Sequence, residues 1–140
     1  MNKKEAKAIT GGLSAPSKMP GPAYNLPATE CITGSKLVKV PGSVCAGCYA
    51  LKGRYRFPNV KEALARRLKS LDHPDWIRAM VVLIDKAPWF RWHDSGDLQG
   101  PEHLKKFLKS TSSHQRHSTG SRPGKLECSS SWTRTSFRPI

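Results

Sequence analysis

Three cysteines constrain this chain more than any other feature. Cys31, Cys45 and Cys48 stand in the spacing C-x13-C-x2-C, and the last pair lies inside GSVCAGCYALKG. A C-x2-C turn brings two sulfurs close enough to share a metal or cluster, so a fold that uses all three must carry Cys31 back to that turn. The nearby Lys52, Arg54 and Arg56 are expected to favour thiolates. Ala46 and Gly47 are small, which would let their backbone amides turn toward sulfur. Three thiolates suit a [4Fe–4S] cluster with one open iron, and such an iron can chelate the amino and carboxylate groups of S-adenosylmethionine. A zinc site would want a fourth ligand, for which His73 and His93 are the candidates. The plain alternative is three buried free thiols.

No apolar run approaches the ~20 residues that cross a bilayer, and the N-terminal MNKKEAKAIT lacks the apolar stretch of a signal peptide. Cytoplasmic residence without membrane association is therefore expected, and there cysteines serve metal or redox chemistry more often than disulfides. The formal charge of +14 is spread along the chain, at +7 over residues 1–57, +3 over 58–109 and +4 over 110–140. A basic surface can attract nucleic acid by neutralising phosphates. Simple solubility explains a diffuse charge as well, since no aromatic-basic stripe accompanies it.

Residues 11–30 hold four prolines and three glycines and read as irregular chain with little helix or strand. Lys36–Val40 alternates polar and apolar residues, which suggests a short strand before the turn at Pro41-Gly42. A helix is expected over Asn59–Leu71, started by Pro58, and a second over about Pro74–Lys86 with Trp76, Ile77, Met80, Val81 and Ile84 on its apolar side. Trp89–His93 reads as a buried strand with Trp89 and Trp92 both in the core. A third helix is expected over Pro101–Lys109, with Leu104, Phe107 and Leu108 on one face.

The segment FRWHDSGD places His93, Asp94, Ser95 and Asp97 just after that strand. The carboxyl ends of strands carry ligand sites in α/β folds. His93 and Asp94 are the catalytic candidates, His93 as a base or a ligand. Ser95 and Asp97 are the cofactor-binding candidates, and Asp94 or Asp97 could accept a hydrogen bond from an ammonium group or a ribose. Gly96 permits close approach of the backbone. Ordinary roles compete with these: an Asx turn for Asp97, a core imidazole for His93 and an Arg91–Asp94 ion pair.

The expected architecture is α/β, the N-terminal part of a parallel-sheet domain for which a partial barrel is one form. Residues 1–30 form an irregular lead, residues 31–109 an incomplete cysteine-cluster domain, and residues 110–140 a disordered tail. That tail holds 13 Ser or Thr residues without helical or strand period. A change of reading frame near Ser110 accounts for such a mixture. Codons exist for Ser118–Lys125 whose shifted frame reads W-L-P-T-R-E-A, an aromatic strand end of the kind the α/β order lacks. On that reading Cys128 is accidental and no ligand.

Several blocks together resemble the phage and prophage proteins of the gene product 88 family: LSAPSKMP, LPATEC, CITGSKLVKVPGSVCAGCYALKGRYRFPNV and FRWHDSGDLQGPEHL. The resemblance covers about residues 10–109. It implies a bacterial host cell as the setting, Cys31, Cys45 and Cys48 as cluster ligands, and His93, Asp94, Ser95 and Asp97 lining the same pocket. It implies further strands and cysteines beyond this point, so a chain that departs at Ser110 is expected to be partly folded or inactive. Similar C…C-x2-C-Y-A loops in other phage proteins suggest a radical S-adenosylmethionine type of site. The competing expectations are a zinc-stabilised, basic nucleic-acid-binding phage protein and a non-functional prophage product. The residues identify neither the substrate nor the oligomeric state.

Overall fold

The structure is a computed structural model, and it describes residues 1–117 apart from Met19 and Lys86, with side chains to Ser112. Five helices and two short strands make up the regular part. In chain order these are α1 (Lys3–Thr10), β1 (Ala23–Tyr24), α2 (Gly34–Leu37), α3 (Pro58–Ser70), α4 (Trp76–Ile84), β2 (Arg91–Trp92) and α5 (Pro101–His117). Short 3-10 turns at Ala28–Glu30, Tyr49–Leu51 and Gly53–Arg56 carry the chain through the cysteine region.

Helix α1 forms because its ends are closed. The Asn2 side chain accepts from Glu5 N at 2.8 Å and Glu5 Oε2 accepts from Asn2 N at 3.0 Å, which satisfies two donors that a helix start leaves open. Gly11, at φ 76°, ends it in the left-handed region. Pro58 starts α3 at a position where its missing N–H costs nothing. At α4, His73 serves the helix start, since its Nδ1 accepts from Asp75 N at 3.1 Å.

The strands pair in parallel, Ala23 with Arg91 and Tyr24 with Trp92. The parallel pairing agrees with the α/β expectation, but among the described residues the sheet stops at two strands. The helices dominate instead, with α4 packed against both α1 and α5. Trp76, Met80 and Ile84 of α4 meet Tyr24, Leu26, Phe90, Trp92 and Phe107 in one core. The aromatic contacts are edge-on or tilted, with Tyr24–Trp76 centroids at 5.5 Å and Trp92–Phe107 at 4.2 Å. The Tyr24 hydroxyl ties this core together. It lies within hydrogen-bond distance of Thr10 O, Arg67 O and Ser70 Oγ, and accepts from Trp76 Nε1.

Several expectations are corrected. Residues 36–40 are not a strand: Gly34–Leu37 closes as a helical turn, with Ser35 N on Cys31 O and Val38 N on Gly34 O. An alternating pentapeptide with no sheet edge beside it has nothing to pair with. The Pro/Gly-rich segment does contribute a strand, because Arg91 N and His93 N reach Pro22 O and Tyr24 O. Trp89 is exposed, whereas Phe90 and Trp92, two residues apart, share the buried side. On α5 the buried positions are His103, Phe107 and Ser110, and Leu104 and Leu108 point outward. That helix also runs past Lys109 to His117. Ser110 and Thr111 both bond back to Phe107 O, so their hydroxyls are satisfied within the helix. The expected tail beyond His117, Cys128 and the Ser118–Lys125 segment lie outside the described residues.

Candidate cysteine and acid site

The three cysteines lie on two turns that face each other across Gly34. Cys31 closes the Ala28–Glu30 turn and its carbonyl accepts from Ser35 N at 2.9 Å. Cys45 and Cys48 sit in consecutive tight turns, with Ala46 N on Ser43 O and Cys48 N on Cys45 O. The Ala46 amide is thus given to Ser43 and not to a sulfur. A Cβ placed on Gly34 would lie 3.1 Å from Cys31 Cβ, 3.6 Å from Cys45 Sγ and 3.8 Å from Cys31 Sγ. Glycine therefore lets both cysteines pack close against the backbone of this turn. All three thiols are free and half-buried.

The electrostatics of Cys31 differ from expectation. Its thiol is pushed up to about 11, first by burial and then by the negative charge of Asp97 and the neighbouring Cys48 and Cys45. The cations at Lys52, Arg54 and Arg56 have no part in this shift. Among the described residues, no three His, Cys, Asp or Glu side chains stand close enough together to hold a metal ion.

Asp94 is the hub of the second half of the site. Tyr55 Oη donates to its Oδ2 at 2.9 Å, and Asn25 Nδ2 approaches the same oxygen at 3.4 Å. The Asp94 amide donates to Asn25 Oδ1 at 2.9 Å, and Tyr49 Oη donates to the Asp94 carbonyl. Arg91 Nη1 stands 3.8 Å from Oδ1. Tyr49 follows Cys48 directly and Tyr55 lies seven residues past it, so their hydroxyls fasten the cysteine loop to the end of β2. Burial and the Asp94 carboxylate push both phenols upward. Sequence reasoning did not assign Tyr49, Asn25 or Gly34 to the site. A polar Asn25 inside the apolar AYNL was the one available signal.

The remaining candidates separate. Ser95 is buried and its hydroxyl donates to Leu26 O at 3.0 Å, so it serves the fold. Gly96 sits against the same strand end, where an added Cβ would meet Leu26 O at 2.5 Å. Asp97 is exposed, accepts from Leu98 N at 2.7 Å, and acts electrostatically on Cys31, His93 and His103. His93 has a positive φ of 55° and its ring stacks near Phe107. Neither ring nitrogen has a hydrogen-bond partner among the described residues, and burial and His103 lower its pKa to about 4. His73 is exposed, and its Nδ1 accepts from Asp75 N at the start of α4.

Two cavities flank this arrangement. One of about 570 Å³ is bounded by Ala28, Leu51, Tyr55, Leu64 and Leu68, with Arg56, Lys61 and Lys69 also in its wall. The other, of about 320 Å³, includes Asn25, Tyr55, Arg67 and Asp94 in its wall. Tyr55 and Leu64 belong to both. Among the described residues no helix is long and apolar enough to cross a membrane.

A family model described as Gene product 88 matches residues 1–118. The chain belongs to the gene product 88 family, a phage-type family. No curated protein and no solved structure matches it.

Proposed function

Starting from membership of the gene product 88 family, we propose that this chain binds an iron–sulfur cluster through Cys31, Cys45 and Cys48, in the manner of a radical S-adenosylmethionine enzyme. The observation that carries this reading is the convergence of Cys31 and Cys45 on Gly34, with their sulfurs 3.8 and 3.6 Å from where a Gly34 Cβ would sit. A cubane binds each thiolate at a different iron, so the three sulfurs need not meet at a single ion. With these three thiolates as ligands, one iron would remain open to a small ligand.

When bound, such a cluster supplies an electron to S-adenosylmethionine and so opens radical chemistry. The protein's own contribution is positional. Tyr49 and Tyr55 hold the C-x2-C loop against Asp94, and the Ala28–Glu30 turn presents Cys31. Burial and the Asp97 charge hold the Cys31 thiol above its ordinary range, so cluster binding there would be coupled to loss of its proton. Asp94 acts here as a positioning residue, and His93 packs against α5.

The test is anaerobic reconstitution with iron and sulfide. The expected product is brown, holds about four irons per chain, and loses both colour and iron in the Cys31→Ala/Cys45→Ala/Cys48→Ala variant. A colourless protein carrying about one zinc per chain through the same cysteines would overturn the reading.

A further inference from the structure

We propose that the 320 Å³ cavity is a binding site for a small molecule carrying an oxyanion, a carboxylate or a phosphate, which Arg67 receives. The proposal rests on Arg67 and not on the cysteines. Arg67 is only 6% exposed. Its Nε donates to Gly12 O at 2.8 Å, and its terminal nitrogens bond to none of the described residues. No carboxylate pairs with it among the described residues. The charges that register on it are the Tyr24 hydroxyl and the Arg66 cation, neither of them an anion at neutral pH.

Arginine cannot shed its proton to escape burial. A cation so placed lacks the counter-charge that would offset its lost hydration. A fold that holds such a cation against a cavity wall therefore has an anion site ready to be filled. The guanidinium is also held in place. Gly11 packs on the Arg67 backbone, where an added Cβ would sit 3.0 Å from its nitrogen, and Arg67 O accepts from Tyr24 Oη at 3.0 Å. With Nε fixed on Gly12, the outer edge of the planar fork remains for two parallel bonds to an oxyanion.

The rest of the wall restricts the ligand. Ser14, Asn25, Asn59 and Asp94 are polar, and among the described residues no ion pair joins Asp94 to Arg67. The fitting ligand has its oxyanion at one end and an amine or hydroxyl donor toward Asp94. The volume lies at the small end for ligand cavities, which run from about 300 to 1,000 Å³. That size suits a molecule no larger than an amino acid or a small phosphate ester.

The experiment is calorimetric titration of the full chain with inorganic phosphate, acetate and L-serine, with chloride as the control ion. It reads anion binding whatever metal the cysteines hold, so its failure is separate from that of the cluster reading. At least one probe is expected to bind at a single site, with Kd on the order of 1 mM, and L-serine more tightly than acetate. Arg67→Met should weaken this by about tenfold or more, and Arg67→Lys by less. Ala63→Leu, which fills the cavity from α3 and leaves Arg67 in place, should weaken it too. Ala63→Leu decides the matter if Arg67→Met does not fold. The proposal is overturned if no probe saturates, or if the probes bind wild type and Ala63→Leu alike.

Discussion

Tyr55 and Asp94 join the two halves of the site through one hydrogen bond, Oη to Oδ2 at 2.9 Å. Tyr55 lies seven residues past Cys48 and Asp94 two residues past β2, so this bond and its neighbour from Tyr49 hold the cysteine loop to the sheet. Tyr55→Phe keeps the ring against Tyr49 and removes only the hydroxyl. Urea unfolding should show a loss of about 1 kcal/mol. Hydrogen exchange should speed up in residues 45–56 and leave α4 unchanged. Uniform change across the chain would mean that the loop is not held through this bond.

Gly34 allows Cys31 and Cys45 to approach each other across its backbone. Gly34→Ala favours the helical turn by propensity, yet puts a methyl group 3.1 Å from Cys31 Cβ and 3.6 Å from Cys45 Sγ. The thermal midpoint of the metal-free protein should change little. Iron retained after reconstitution should fall by more than half. Full iron loading in this variant would show that the cluster does not depend on that approach.

His93 sets an acid limit on stability. Its folded pKa is lowered to about 4 from an ordinary 6.5, so between those values the unfolded chain binds the proton and the folded chain resists it. Stability is therefore complete above pH 6.5 and falls as pH drops through that window, by up to about 3 kcal/mol. His103, also lowered by burial, acts in the same direction. His93→Asn removes the titrating ring and tolerates the positive φ. Urea midpoints measured from pH 7.5 to 4 should decline less steeply in the variant. Parallel curves would remove His93 from the account.

Tyr24 is the polar centre of an otherwise apolar core. Tyr24→Phe leaves Trp76 Nε1 without its acceptor and removes the hydroxyl from Thr10 O and Arg67 O. Buried groups left unpaired cost about 1–3 kcal/mol, so the variant should lose about that much in denaturant unfolding. A neutral result would mean that water takes over the hydroxyl's place.

Much of the helical layout was legible in the sequence because its signals are local. Pro58 with the leucine spacing defines α3, the Trp76–Met80–Ile84 stripe defines α4, and Pro101 starts α5. The pairing of β1 with β2 was not legible. A two-residue strand has no period, and its partner lies 68 residues away along the chain. Trp89 and Leu108 are as apolar as their buried neighbours, so only packing could send them outward.

The site divides in the same way. The residue types, the C-x13-C-x2-C spacing and the strand-end FRWHDSGD are sequence properties, and they selected Cys31, Cys45, Cys48, His93, Asp94, Ser95 and Asp97 as chemistry-bearing. Tertiary structure decided that Ser95 faces Leu26, that Asp94 is fastened by two tyrosines, and that a buried Arg67 looks into a cavity beside it. Local patterning specifies which elements form, because turns, caps and apolar stripes act over a few residues. Which charge is left without a counter-charge depends on every chain segment that packs around it, and that is settled only when the fold closes.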